Sequence, residues 1–97
     1  MGPLVFGKSG DTINIATSTQ SAGLQIPGTG PQIYIYNNSA AILFIRTGIG
    51  NQTAVITDMP VSPNASVIFT INQTDTHIAG ILSVGTGTMY ATRGYGG

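Results

Sequence analysis

His77 is the one imidazole in the chain, and Asp75 stands two residues before it. A histidine acting as general base needs a carboxylate to orient its ring and a third group to activate. The stretch Asn72-Gln73-Thr74-Asp75-Thr76-His77 offers the first two inside one turn and no third, so it reads as a turn running into a strand-start histidine. The aspartates Asp11, Asp58 and Asp75 are scattered and no glutamate joins them, so a paired-carboxylate site would have to be gathered from distant loops. With no cysteine, no second histidine and no Asp-x-Asp-x-Asp-Gly loop, neither a zinc nor a calcium site is written in the sequence. Gly85-Thr86-Gly87 matches a fragment of a dinucleotide fingerprint, but it lies between two strand-like runs with no helix to hold a phosphate. These readings point away from an enzyme and away from any cofactor or metal.

The residues left to do work are aromatic. Tyr34, Tyr36 and Tyr90 could stack on bases or sugars, yet nucleic acid also demands clustered Lys and Arg. The chain has three cationic residues, Lys8, Arg46 and Arg93, balanced by its three aspartates, and only 6% of its residues are charged against roughly 25% in ordinary globular proteins. A neutral surface has no electrostatic footprint for nucleic acid or anionic lipid, and it lacks the repulsion that keeps monomers apart. Tyrosines on such a surface suit anchoring at protein interfaces, since each offers a large apolar area and a polar tip. Arg46 sits among Ile42, Phe44 and Ile45, so its guanidinium must reach a sheet edge or pair with an aspartate, here or in another subunit. The Asn-x-Ser/Thr sequons at Asn37, Asn51, Asn64 and Asn72 are read as turn composition.

The elements that must carry these residues are strands. Gly, Pro, Thr, Ser and Asn recur too often for a helix, and period-2 alternation prevails. Ile13 and Ile15 alternate within Thr12–Ala16, and a weaker strand covers Gly23–Ile26. Gln32–Asn37 interleaves isoleucines with tyrosines, so one face is expected on the core and the other on a partner. Asn37-Asn38-Ser39 reads as a hairpin turn into Ala41–Thr47, a strand apolar on both faces and hence central. Thr53–Thr57 reads as a strand, Pro60 and Pro63 restrict the next segment to an edge or loop, and Ser66–Ile71 alternates again. His77–Val84 and Thr86–Thr92 are expected to form a final hairpin around Gly85.

About seven strands at this spacing predict an all-β fold, a small antiparallel β-sandwich or jelly-roll-like domain. The expected organisation is an N-terminal arm over 1–10, the sandwich over 11–92 and a glycine-rich tail over 93–97. The start of the chain does not read as a secretory signal, and no apolar run approaches the ~20 residues of a membrane helix. A chain this short without disulfides buries one modest core, which makes self-association a reasonable expectation.

The run Ile35-Tyr36-Asn37-Asn38-Ser39-Ala40-Ala41-Ile42-Leu43-Phe44-Ile45-Arg46, the segment from Pro60 to Thr70, and the closing run from His77 through Thr92 with its glycine-rich tail resemble the small virion proteins of tailed bacteriophages. The likeness is to capsid decoration (cement) proteins and related head or tail accessory proteins, and it covers residues 30 to 97. It implies a β-sandwich or jelly roll, commonly a homotrimer, assembled in the host cytoplasm and seated on the capsid surface where major capsid proteins meet. On that reading the contacts fall to Tyr34, Tyr36, Arg46, Phe69, Tyr90, Arg93 and Tyr95, with Leu4 and Phe6 from the arm. A tail or head-to-tail protein is the alternative within that class, and a carbohydrate-binding module is the alternative outside it.

Overall fold

The computed structural model describes residues 6–96. These form nine strands and no helix: β1 (Phe6–Lys8), β2 (Ile13–Thr17), β3 (Ala22–Gln25), β4 (Gln32–Asn38), β5 (Leu43–Gly48), β6 (Met59–Val61), β7 (Ser66–Thr70), β8 (His77–Leu82) and β9 (Gly87–Gly96). All pairings are antiparallel. One sheet runs β1-β9-β4-β7, with β2 also on β9, and the second runs β3-β8-β5-β6. The expected all-β sandwich is the architecture observed.

Alternation decides what goes inside. On β4 the residues Ile33 and Ile35 have no exposed surface, and their β9 neighbours Met89 and Ala91 are equally buried. The opposing sheet contributes Leu43 and Ile45 from β5, Ile78 and Leu82 from β8, and Val61 from β6. Each fully buried aliphatic side chain stabilises the fold by about 1.5–3 kcal/mol relative to leaving it in water. Gly80 breaks the inward row of β8 for a steric reason: a Cβ there would stand 3.0 Å from Leu43 Cδ1 and 3.1 Å from Met89 Cε. The missing side chain is the space that Met89 fills.

Both expected hairpins are corrected. β4 and β5 follow each other in sequence but lie in different sheets, because β4 is flanked by β9 and β7 while β5 pairs with β8 and β6. The chain after Asn38 therefore crosses the sandwich. The same holds at Gly85, whose φ of 76° makes the turn from β8 in one sheet to β9 in the other. The turns stand where their residues put them, but a turn does not dictate that its two arms pair. Non-local pairing decided both.

Thr53–Thr57 is not a strand. The Asp58 carboxylate accepts the Val55 N–H at 2.8 Å and the Asp58 N–H returns to the Val55 carbonyl at 3.0 Å, which closes a turn where a ladder would have to run. Ala54 is buried in this loop and its N–H donates to the Ser21 hydroxyl at 2.8 Å. Pro60 lies in β6, a three-residue edge strand, as the loss of its ladder donor requires.

The segments without periodicity also differ from expectation. Within the segments expected as arm and tail, Phe6–Lys8 pairs with Gly94–Gly96 as sheet, and residues 1–5 and 97 lie outside the described residues. Period-2 reasoning misses them because glycine carries no pattern. Their contact is backbone on backbone: a Cβ built on Gly94 would collide with the Gly7 carbonyl oxygen and stand 2.9 Å from Lys8 Cα. Gly94→Ala should therefore cost about 1–3 kcal/mol by forcing β1 away from β9. Equilibrium denaturation measures this, and a neutral substitution would refute the close approach.

Candidate functional site

The register of the five-stranded sheet brings Tyr34 and Tyr36 of β4 and Tyr90 of β9 together on its outer face. Tyr36 is directly opposite Tyr90 on one side and Ser66 on the other, and Tyr90 is opposite Asn14 on β2. The adjacent row places Thr92, Tyr34 and Ile68 side by side. Tyr36 and Tyr90 stack with ring centroids 6.0 Å apart and an interplanar angle of 24°. Cross-strand aromatic pairs of this kind add about 0.5–1.5 kcal/mol beyond their area. Thr12 extends the face past β2, its Oγ1 lying 2.6 Å from Thr92 Oγ1.

This face carries aromatic rings, hydroxyls and amides, and no charge along β2, β4, β7 or the Gly87–Thr92 part of β9. Its backbone is held by ladders on both sides of β4 and β9, so the rings sit on a rigid support. All three tyrosines are half-buried. Such a surface can adsorb another uncharged surface or a sugar ring.

The other residues expected at the interface are dispersed. Arg46 lies on the outer side of the second sheet, 44% exposed at its side chain, where Nε and Nη2 donate to Asp58 Oδ1 at 3.2 and 3.0 Å. The aspartate partner is thus found within the chain. Phe69 faces inward at the sandwich flank and lines an apolar cleft of about 120 Å³ with Ile45, Thr47, Met59, Thr70 and Ile71. Tyr95 is 54% exposed, and its hydroxyl lies 3.3 Å from Thr29 Oγ1. Leu4 and the side chain of Phe6 lie outside the described residues.

Arg93 is a correction. It is 1% exposed, and its guanidinium donates to four backbone carbonyls: Gly30 through Nε at 2.9 Å, Asn72 and Gln73 through Nη2 at 2.9 and 3.0 Å, and Asp75 through Nη1. Every nitrogen is engaged and the side chain is buried, so Arg93 ties β9 to the β7–β8 turn and to Gly30 inside the chain. Asn37 is the second residue whose role the turn reading missed. Fully buried, its amide nitrogen donates to the carbonyls of Ala41, Val61 and Ser62 at 2.9, 3.1 and 3.0 Å, and its Oδ1 accepts from Ser39 Oγ at 2.7 Å. The signal was present in both cases. Arg93 continues the inward series Met89, Ala91, and Asn37 continues Ile33, Ile35.

Asp75 and His77 turn to different partners. Asp75 Oδ2 accepts from Thr47 Oγ1 at 2.9 Å and from the Asn72 N–H at 3.3 Å, whereas His77 Nδ1 meets Thr76 Oγ1 at 2.7 Å. His77 also lines a recess of about 160 Å³ with Gly23, Leu24, Asn51, Gln52 and Ile78. Among the described residues no group of three or more His, Asp or Glu could hold a metal ion. No helix among them is long and apolar enough to cross a membrane. Comparison with protein-family models, curated proteins and solved structures returned no match.

Proposed function

We propose that this chain is a non-catalytic structural protein of a virus particle, of the capsid decoration kind, whose tyrosine face seats against the major capsid protein and stabilises the shell. The observation that carries the reading is the rigid, uncharged outer face of the five-stranded sheet, with the stacked Tyr36–Tyr90 pair at its centre. A protein that clamps a shell needs stiff β structure, contact area and side chains that do not repel, and this face supplies all three. The chain binds neither nucleic acid nor membrane in this proposal, works as a homo-oligomer, and resides on the capsid surface after assembly in the host cytoplasm.

Quantitative mass spectrometry of purified particles, joined to binding measured on the Tyr36→Ala/Tyr90→Ala variant, tests this. Hundreds of copies per particle and a loss of binding of about tenfold or more in the variant are expected, since interface tyrosines commonly contribute about 2 kcal/mol or more. A handful of copies would move the chain to the tail or the head-to-tail connector. The Tyr36–Tyr90 pair also favours a second reading, a sugar-stacking module. Tyrosine-dependent binding to a glycan array, with no affinity for shells, would replace the first reading by that one.

A further inference from the structure

The five-stranded sheet ends in an edge unlike the others. β1 and β6 have three residues each, β1 ending in Lys8 and β6 containing Pro60. β2 meets β3 at the corner of the sandwich, where the Leu82 N–H donates to the Ser18 carbonyl at 2.7 Å, and β3 is bordered by the Ala54 loop through Ser21. β7 has five residues, Ser66-Val67-Ile68-Phe69-Thr70, with no charge and no proline. Short length, Lys and Pro are the devices that keep a sheet edge from pairing with another strand, and β7 has none of them.

Its free hydrogen-bonding groups follow from the ladder with β4. The Ala65 carbonyl accepts from the Asn37 N–H at 2.9 Å and the Ile71 N–H donates to the Pro31 carbonyl at 2.7 Å, so the odd-numbered residues turn their backbone groups towards β4. In an antiparallel strand the alternate residues turn theirs the other way. Among the described residues no strand lies beyond β7, so the N–H and C=O groups of Ser66, Ile68 and Thr70 face an open edge.

We propose that β7 pairs antiparallel with β7 of a second copy about a two-fold axis through Ile68, joining two five-stranded sheets into one. This register satisfies every constraint at once. It makes Ile68 opposite Ile68 of the other copy, and Ser66 opposite Thr70 in both directions, which are the residues whose backbone groups point outward. It sets Val67 of each copy beside Phe69 of the other on the inner face. These two are the inward residues of β7, and both are only partly buried where Ile33 and Ile35 on the neighbouring strand are fully so. The strand is self-complementary, because a charge-free sequence read against itself brings no like charges together. The cleft lined by Phe69 and Met59 lies on the same flank, with Met59 54% exposed, and the second copy covers it. The contact is independent of the capsid reading and would hold equally for a sugar-binding module.

Sedimentation velocity of the full chain over a range of concentrations, with three variants, decides the matter. The wild type is expected to sediment as a dimer. Ile68→Lys, which sets two ammonium groups face to face on the axis, should raise the dissociation constant by about tenfold or more. Ser66→Lys/Thr70→Glu should remain dimeric, now with salt-sensitive affinity, because the antiparallel register brings each Lys against a Glu, whereas a parallel one sets like charges together. The chain contains no cysteine, so Ile68→Cys should yield a disulfide-linked dimer under mild oxidation, and this holds the test open should Ile68→Lys fail to fold. A wild type that stays monomeric at every concentration, a dimer unaffected by Ile68→Lys, or an Ile68→Cys protein that does not cross-link each overturns the proposal.

Discussion

Arg93→Met is expected to lower the stability of the fold by about 3–5 kcal/mol, a large share of what a domain of this size possesses. The methionine can fill the volume of the arginine stem but cannot donate to the carbonyls of Gly30, Asn72, Gln73 and Asp75. An acceptor left buried without a donor costs about 1–3 kcal/mol. Asn72 and Gln73 are exposed residues of the β7–β8 turn, so water can replace part of what their carbonyls lose, and the deficit concentrates at Gly30 and Asp75. The midpoint of thermal unfolding should fall by roughly 15 °C or more. Arg93→Lys retains the charge without the planar fork that spans these carbonyls and should recover little. Hydrogen exchange supplies a local readout, since the amides of 72–76 should lose protection first. A variant within about 1 kcal/mol of wild type would show that the guanidinium is not what holds the turn.

Asn37→Asp exchanges one heavy atom and should be as damaging, at about 3–5 kcal/mol near neutral pH. The amide nitrogen donates to the carbonyls of Ala41, Val61 and Ser62, and a carboxylate oxygen in its place presents a negative charge to three acceptors. Asn37→Ala removes the same bonds without adding charge and should cost less, about 2–4 kcal/mol. The order of the two variants is the informative result. Asn37→Asp should regain part of its stability on acidification, because a protonated carboxyl donates once and carries no charge, while Asn37→Ala should respond as the wild type does. Chemical denaturation at two pH values measures both. Equal costs for the two variants, independent of pH, would mean that Asn37 acts through its volume alone.

These two residues also mark where sequence reading reached its limit. The alternation of Ile33 and Ile35 with Tyr34 and Tyr36 is legible at once, because a strand buried on one face must repeat every two residues. The same rule, carried one step further, puts Asn37 inside and Arg93 after Ala91. Local chemistry argued otherwise, since Asn before Asn-Ser reads as a turn and Arg among glycines reads as a tail. The neighbouring carbonyls that make an inward amide and an inward guanidinium acceptable come from segments 18 to 63 residues away, except Ala41, and no local window contains them. Thr53–Thr57 failed for a related reason, its β-branched pattern being overruled by the Asp58 carboxylate that also holds Arg46.

Composition and a two-residue period were enough to settle the fold class, most of the strands and the absence of charge from the tyrosine-bearing runs, because each of these is a local property of the chain. Which strands are neighbours was settled only by the folded molecule. It separated β4 from β5 and β8 from β9, brought Tyr36 against Tyr90 across 54 residues of chain, and left β7 at an open edge. Pairing is chosen by how all the apolar faces can be buried together, and that is a property of the assembled sandwich which no single strand contains.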